Sequence, residues 1–185
     1  MIIDANSVIL RAIEEKDLPF LQEMINDPNI EHMTGGSSFP VSMDRQKRWF
    51  ESYDQQKELR CMIEVKNEAT IGMVIVNNID WKNRTAELGY KTKAAPGARK
   101  HGNVDDAIMG VLNFAFNEMN MVCIYETVLV YNLPSQRLAE RCGFRKEGIL
   151  RSRIFKNGER HDLFSYSMLK EEFNEVYCKY QLQFK

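Results

Sequence analysis

An amphipathic helix lies between two strands in the middle of this chain, and this arrangement limits the possible folds more than any other feature. Apolar residues recur there with the helical period, at Ile108, Val111, Leu112, Ala115 and Met119. Strand patterns precede and follow the helix, at residues 85–92 and 122–130. Because a crossover helix places its two flanking strands parallel, we predict a parallel pair at the centre of a sheet.

Two hairpins flank this predicted centre. Alternation with a period of two indicates a strand from Leu59 that turns back into a second strand over residues 71–79. Near the end of the chain, residues 144–155 and 160–169 are predicted to pair across Asn157-Gly158, which is a strong hairpin signal. Hairpins are antiparallel, so most of the sheet is expected to be antiparallel.

The N-terminal part begins with a strand and continues with helices. Residues 8–13 have a strand pattern, and Asp17 and Ser42 are the predicted caps of the two helices that follow. Together with the hairpins and the crossover, this predicts an α/β (α+β) fold: a mixed, mostly antiparallel sheet with a central parallel strand pair, flanked by helices.

Length and charge restrict the functional classes. The 185 residues suit a single domain over 1–185, with 170–185 as a C-terminal helix or tail. Lys and Arg number 25 against 26 Asp and Glu, so no overall field favours nucleic acid or an anionic membrane. No apolar stretch reaches the roughly 18–20 residues of a membrane helix, and the four cysteines lack metal-site spacing. We expect a cytoplasmic protein without a metal.

The segment between the strand at 85–92 and the crossover helix combines cations with a glycine. Arg99, Lys100 and His101 come directly before Gly102, near the positive end of the predicted helix. Backbone N–H groups at such an end bind phosphates, and the side chains add positive charge. The segment suits a diphosphate; taken alone, it fits a solvated basic turn even better.

Two further motifs lie beside the predicted parallel strands. Asn132 and Ser135 follow the strand at 122–130, and helix capping alone would explain their residue types. Glu87 lies on the strand at 85–92, where a carboxylate could act as a general base, although most acids on a sheet face are merely solvated. Ser135 has no nearby His in the sequence, so a hydrolase triad has no support.

Taken in order, these motifs resemble the GNAT superfamily of acyl-CoA-dependent N-acetyltransferases, and within it the RimJ/RimL-like branch. The family's pyrophosphate loop reads Q/R-x-x-G-x-G/A; residues 99–104 supply the Arg and the first Gly, with Val104 where Gly or Ala is usual. The branch's N-x-x-S…G-F-x-x-E-G signature is met by Asn132, Ser135, Gly143, Phe144, Glu147 and Gly148. The terminal hairpin around Asn157-Gly158 is similar as well.

The resemblance implies a GNAT-like fold in which the central parallel strands splay apart and acetyl-CoA enters between them as acyl donor. The first strand would bind the pantetheine arm through its backbone, and the loop before the helix would bind the pyrophosphate. The implied cofactor-binding residues are Leu88, Gly89, Tyr90, Lys91, Arg99, Lys100, His101, Gly102, Asn103, Val104, Asn132 and Ser135.

The resemblance also implies direct transfer to a primary amine in a ternary complex. Glu87 would accept the amine proton through a water, and a backbone N–H near Leu88 would stabilise the oxyanion. Many superfamily members carry a general-acid Tyr four residues before the Gly of the Gly-Phe pair, where this chain has Ala139. RimL-like enzymes use the Ser of N-x-x-S instead, so Ser135 is expected to take that role.

The acceptor stays open among a protein N-terminal α-amine, a polyamine, an amino sugar and another small amine. Glu31 and His32 are the substrate-binding candidates, because similar enzymes place the acceptor between their first two helices; an ordinary surface loop is the alternative. The alternative function is a catalytically silent acyl-CoA sensor, which Ala139 and Val104 favour. Aromatic residues of the tail are expected to pack on the domain or on a second copy in a homodimer.

Overall fold

The computed structural model of the protein describes residues 2–36, 38–54, 57–93 and 102–182. The strands are β1 (Ile3–Ala5), β2 (Val8–Ala12), β3 (Leu59–Val65), β4 (Thr70–Asp80), β5 (Thr85–Thr92), β6 (Cys123–Leu129), β7 (Arg145–Lys156) and β8 (Glu159–Leu169). The α-helices are α1 (Leu18–Ile25), α2 (Pro28–Met33), α3 (Met43–Glu51), α4 (Asn103–Asn117), α5 (Leu133–Arg141) and α6 (Lys170–Leu182).

The strands form one sheet in the order β1-β2-β3-β4-β5-β6-β8-β7. Among the described strands, β5 and β6 are the one parallel pair, and every other pairing is antiparallel. Their register joins Thr85 to Cys123, Ala86 to Ile124 and Glu87 to Tyr125, and it ends there. The structure therefore confirms the predicted mixed sheet, and it opens a wedge beyond Glu87 at the centre of that sheet.

Helices cover both faces of the sheet. The crossover helix α4 buries Ile108, Leu112 and Phe116 against one face, in a cluster that includes Ile124 of β6. On the other face, α1 buries its apolar residues against Met62 of β3 and its neighbours. Full burial of each such side chain stabilises the fold by roughly 1.5–3 kcal/mol, so the two clusters hold the central strands from both sides.

The C-terminal helix α6 packs on this same domain. Phe173 stacks on Phe116 of α4 at 4.9 Å between ring centroids, and Tyr177 stacks on Phe173 at the same distance. Gly143, which precedes β7, has φ +92°, and a Cβ there would lie 2.7 Å from a methyl group of Val176. A glycine is thus required where the turn after α5 meets α6. Intramolecular packing accounts for these tail aromatics, while the homodimer stays a prediction.

The structure differs from the predicted elements mainly near the N-terminus. Strand β1 and helix α2 were not predicted, and both are short. Ser42 caps α3 as predicted, accepting a hydrogen bond from the backbone N–H of Arg45 at 3.2 Å. Asp17 makes no side-chain cap bond to α1; its carboxylate instead accepts two hydrogen bonds from Arg11, at 2.7 and 2.9 Å. In the described ranges, no helix has the length and apolarity needed to cross a bilayer.

Candidate active site

A cleft of about 890 Å³ opens where β5 and β6 part. One wall is formed by β5 beyond Glu87, and the other by β6 from Glu126 to Leu129. The segment from Asp27 to Gly36 lines the cleft on one side, and the start of α5 lines it on the other. The wedge in the sheet is therefore an open cavity between the two parting strands, with α2 on one side and α5 on the other.

Glu87 lies at the apex of this cleft, at the last position of β5 that pairs with β6. The Nδ2 group of Asn78 donates a hydrogen bond to one carboxylate oxygen at 2.6 Å, and Thr127 Oγ1 donates to the other at 3.5 Å. These two bonds hold the carboxylate where a group inside the cleft can reach it. Sequence reasoning identified Glu87 but not the two residues that orient it.

On the opposite face of β5, Leu88 and Tyr90 point toward the α4 core, as strand alternation requires. The Tyr90 hydroxyl is buried, and no described residue is placed to hydrogen-bond with it. Burial raises the pKa of Tyr90 and the charge of Glu126 adds to the rise, whereas the adjacent Ser135 side chain opposes it. This hydroxyl is therefore a neutral, unpaired polar group that lines the cleft.

Glu126 is a second unpaired group on the same side. It lies in β6 between Ile124 and Val128, its residue is 3% exposed, and its Oε1 has no hydrogen-bond partner in the part of the chain that the structure describes. Burial, and secondarily the charge of Glu87, raises the pKa of Glu126 to about 8. Sequence analysis missed this residue, although a single acid inside an apolar strand is a usable signal.

The start of α5 brings Asn132 and Ser135 to the cleft, as predicted. The Asn132 side chain accepts a hydrogen bond from the Ser135 backbone N–H at 3.2 Å, which caps the helix, and its Nδ2 donates to the Met33 carbonyl at 2.8 Å. Asn132 thus joins α5 to the end of α2. Ala139 lies one turn further along α5 and is 1% exposed, packed in the core.

The predicted pyrophosphate loop is only partly described. Arg99, Lys100 and His101 lie outside the described residues, and Gly102 is the N-cap of α4 with φ +111°. Gly102, Asn103 and Val104 do not line the cleft described above. In the first turn of α4, Asp105 pairs with Arg141 at 2.9 Å, and buried Asp106 accepts hydrogen bonds from Asn6 and Ser7. These two acids have structural partners of their own.

The predicted substrate residues, Glu31 and His32, sit in α2 beside the cleft without lining it. The Lys156 ammonium and the Ser38 hydroxyl both donate to the Glu31 carboxylate, and these two bonds lower the pKa of Glu31. His32 stacks on Tyr131 at 5.0 Å between ring centroids. The residues of this segment that line the cleft are their neighbours, including Ile30 and Met33.

Lys91 provides the cleft with a positive charge. No described carboxylate lies within ion-pair distance of its ammonium, which sits 3.6 Å from the ideal Cβ position of Gly36. Burial lowers the pKa of Lys91, the charges of Arg60 and Lys156 lower it further, and Glu31 opposes them. This half-buried cation stands on the same face of β5 as Glu87.

The remaining chemistry-bearing residues show no competing site. Among the described residues, no group of three or more His, Cys, Asp or Glu side chains could hold a metal ion. Cys142 is 2% exposed and burial raises its pKa, so its thiol is protonated and poorly nucleophilic. An acyl-cysteine route through this residue therefore has no support, and the cleft at the β5–β6 wedge is the candidate site.

Comparisons with known proteins agree with this site. Residues 7–145 match the family model of the acetyltransferase (GNAT) domain. The SPbeta prophage-derived uncharacterized N-acetyltransferase YokL of Bacillus subtilis is 32% identical over 167 residues, with 90% of this chain and 92% of the relative covered. The putative ribosomal N-acetyltransferase YdaF of the same organism is 28% identical, with 90% and 93% covered.

A solved structure has the same fold. The spermidine N-acetyltransferase of Vibrio cholerae, crystallised with CoA and spermine, superposes with a TM-score of 0.81 at 28% sequence identity. The superposition covers 91% of this chain and 98% of that one. The mixed sheet and its parallel pair are thus shared over nearly the whole chain.

Proposed function

This chain belongs to the acetyltransferase (GNAT) family and is an acetyl-CoA-dependent N-acetyltransferase, and we propose that it transfers the acetyl group directly to a primary amine inside the cleft at the β5–β6 wedge. The observation that carries the proposal is the position of Glu87 at the apex of that cleft, oriented by Asn78 and Thr127. A carboxylate at this point can accept a proton from an amine that attacks a thioester where the strands part.

Acetyl-CoA would lie between the splayed strands. The backbone of residues 88–91 pairs with β4 on one edge, and its other edge, where the pairing with β6 has ended, would bind the pantetheine amides. Asn132 and Ser135 would close the pocket from α5. Gly102, Asn103 and Val104 would bind the pyrophosphate at the N-terminus of α4, together with the preceding Arg99, Lys100 and His101. The Asn132 and Ser135 pair supports placing the chain in the RimJ/RimL-like branch.

Glu87 would act as the general base. An ammonium group cannot attack a thioester, so the acceptor must lose a proton first, to the Glu87 carboxylate directly or through a water. The nitrogen then bonds to the acetyl carbon, and the carbon–sulfur bond breaks with its electron pair moving to sulfur. The Ser135 hydroxyl would donate a hydrogen bond to the departing sulfur, in place of the Tyr that Ala139 replaces.

For the acceptor, the site favours an amine with a single positive charge, and a protein N-terminal α-amine suits it best. Neutralising an α-amine of pKa near 8 costs about 1 kcal/mol at neutral pH, whereas an alkylamine of pKa near 10.4 costs about 5 kcal/mol. The unpaired Lys91 ammonium also repels a polycation, because it lies on the Glu87 face of the cleft.

A polyamine is the second candidate acceptor. It is supported by the likeness to the V. cholerae spermidine N-acetyltransferase, whose structure holds spermine. Asp27, the N-cap of α2, lines the cleft, and its carboxylate would attract the positive charges of a polyamine. The charge of Lys91 disfavours a polyamine more than an amine with one charge, so substitution of Lys91 distinguishes the two candidate acceptors.

The direct test is to titrate the purified protein with acetyl-CoA by calorimetry and then follow thiol release with a panel of amines. The panel contains peptides with free N-termini, spermidine, an amino sugar and an amino acid. We expect acetyl-CoA to bind and thiol release to depend on an amine, with a peptide the best acceptor. A Glu87→Gln, Ser135→Ala double variant that binds acetyl-CoA and works as fast as the wild type would contradict the assigned roles.

A further inference from the structure

Glu126 stands out because a buried carboxyl group normally has partners. It is 3% exposed, it lies in the middle of β6, and its Oε1 lacks a hydrogen bond to any described residue. Leaving a buried polar atom unpaired costs about 1–3 kcal/mol. A buried group that has no partner despite this cost calls for an explanation, and contact with a ligand is one. Glu126 lines the cleft, and the cleft is where that ligand would be.

The groups that face Glu126 do not hold it in its charged form. They are Glu87 and Tyr90 from β5, Cys142 at the C-cap of α5 and Tyr166 from β8, and none of them is a cation. Burial and the nearby Glu87 charge raise the pKa of Glu126 to about 8, so the carboxyl group carries a proton at neutral pH. A protonated carboxyl group is both a hydrogen-bond donor and an acid.

The proposed reaction needs an acid of this strength. A CoA thiol has a pKa of about 8.5, whereas a serine hydroxyl is a far weaker acid and cannot give up a net proton to a thiolate. Ser135 can therefore stabilise the leaving sulfur by a hydrogen bond, but it cannot be the final source of the proton. Ala139, whose methyl group is buried in the core, has no proton to donate to the sulfur.

Resting on the function proposed above, we propose that the neutral carboxyl group of Glu126 gives its proton to the sulfur of CoA as the carbon–sulfur bond breaks. The nitrogen–carbon bond forms, the carbon–sulfur pair moves to sulfur, and the Glu126 proton completes the thiol. The first proton of the ammonium passes through Glu87 to solvent before attack, and the second proton, which the nitrogen loses once it has bonded to the acetyl carbon, goes to Glu87. After CoA leaves, exchange with solvent returns Glu87 to the carboxylate and Glu126 to the acid.

The two carboxyl groups assist one another in this scheme. The Glu87 charge raises the pKa of Glu126, so Glu126 keeps its proton while Glu87 is ionised. When Glu87 accepts the amine proton, that charge disappears and Glu126 becomes a stronger acid at the moment when sulfur needs a proton. One strand thus supplies the base and its parallel partner supplies the acid.

The test is Glu126→Gln, which keeps the shape but removes the acidic proton. With acetyl-CoA and the responding amine both saturating, we expect kcat to fall about 30-fold at neutral pH while the KM for acetyl-CoA stays within about twofold. Wild-type kcat should decline above about pH 8 as Glu126 ionises, and this decline should be absent from the variant. Glu126→Asp, which retains an acid, should recover part of the rate.

The matched control is Glu118→Gln, an exposed glutamate at the C-terminal end of α4, which should change neither kcat nor the pH profile. The proposal would be overturned if Glu126→Gln kept the wild-type kcat and the alkaline decline. It would also be overturned if the affinity of this variant for acetyl-CoA, measured by calorimetry, fell by as large a factor as kcat. A wild-type protein that releases no thiol with any amine would overturn the proposed function itself. The two failures are therefore distinguishable.

Discussion

The two faces of the β5–β6 strand pair treat their polar groups in opposite ways. On the face toward α2, Glu87 accepts hydrogen bonds from Asn78 and Thr127, and the neighbouring Glu31 pairs with Lys156. On the face toward α4, the Tyr90 hydroxyl and Oε1 of Glu126 have no hydrogen-bond partner within the described ranges. For their carboxyl and hydroxyl groups, the same two strands therefore have one hydrogen-bonded face and one face without partners among the described residues.

This difference separates groups that are already positioned from groups that await a ligand. A carboxylate that is hydrogen-bonded in the free protein keeps its charge and its orientation, which suits a base. A buried carboxyl group without a partner becomes neutral, which suits an acid. The alternation of side chains along the two strands thus gives two neighbouring carboxyl groups different surroundings, one hydrogen-bonded and one buried without a described partner.

The largest effect is expected on stability, from Glu126. Its pKa rises from 4.5 in the unfolded chain to about 8 in the folded protein, so the folded state binds the extra proton between these values. The free energy of unfolding should therefore fall as pH increases through this window, by about 1.4 kcal/mol per pH unit and about 5 kcal/mol in all.

Denaturant unfolding at several pH values measures this slope. The Glu126→Gln variant should lack the stability that the protonated Glu126 side chain contributes. The wild type has this contribution in full only below the unfolded pKa, and it should lose stability relative to the variant as pH rises. Glu118→Gln, at the exposed C-terminal end of α4, is the control and should follow the wild type. Parallel curves for wild type and Glu126→Gln would show that the face without partners does not hold a neutral carboxyl group.

The second effect concerns the hydrogen-bonded face. Glu87→Gln should lower kcat about 100-fold, since a positioned general base contributes roughly 10²–10⁴ to a rate. The dissociation constant of acetyl-CoA, measured by calorimetry, should stay within about twofold because the variant removes no proposed contact to that substrate. Thr127→Val, which removes only the 3.5 Å bond, should cost less than Glu87→Gln. Full activity in Glu87→Gln would assign the base elsewhere.

Sequence patterns predicted the long elements well. Strand β5 was predicted over its full observed range, and the β7–β8 hairpin formed across Asn157-Gly158 as expected. The missed elements are short: β1 has three residues and forms by pairing with β2, and α2 has six residues with none buried. Such elements depend on tertiary contacts rather than on their own periodicity, so local patterns carry little signal for them.

The site was predictable only in part. Asn132 and Ser135 were identified through a family motif and Glu87 through its place on the strand at 85–92, and the structure places all three at one cleft. Glu126 lies in the strand that alternation described simply as apolar, and its unpaired state follows from where β5 separates from β6. That separation is a three-dimensional property of the register, which sequence spacing does not contain.

A third and smaller effect is expected from Ser135, where the two faces meet α5. Ser135→Ala should lower kcat about 10-fold, because a hydrogen bond to a developing charge is worth roughly 1.5–3 kcal/mol and the Glu126 acid would still supply the proton. Thiol release under saturating substrates measures it. Ser52→Ala, at the end of α3, should leave the rate unchanged. A loss as large as that of Glu87→Gln would show that the hydrogen bond from Ser135, rather than a proton from Glu126, controls the departure of the thiol.

The smallest effect distinguishes the acceptors. Lys91→Met removes the unpaired cation from the Glu87 face, and a like charge about 6–8 Å away in a watery cleft is worth roughly 0.5–1 kcal/mol. We therefore expect kcat/KM for spermidine to rise about threefold, and the value for a peptide α-amine to change much less because it carries one charge. Lys82→Met, in the turn between β4 and β5, is the matched control. A fall in spermidine turnover in Lys91→Met would mean that the cation does not repel the acceptor. The polyamine would then become the first candidate.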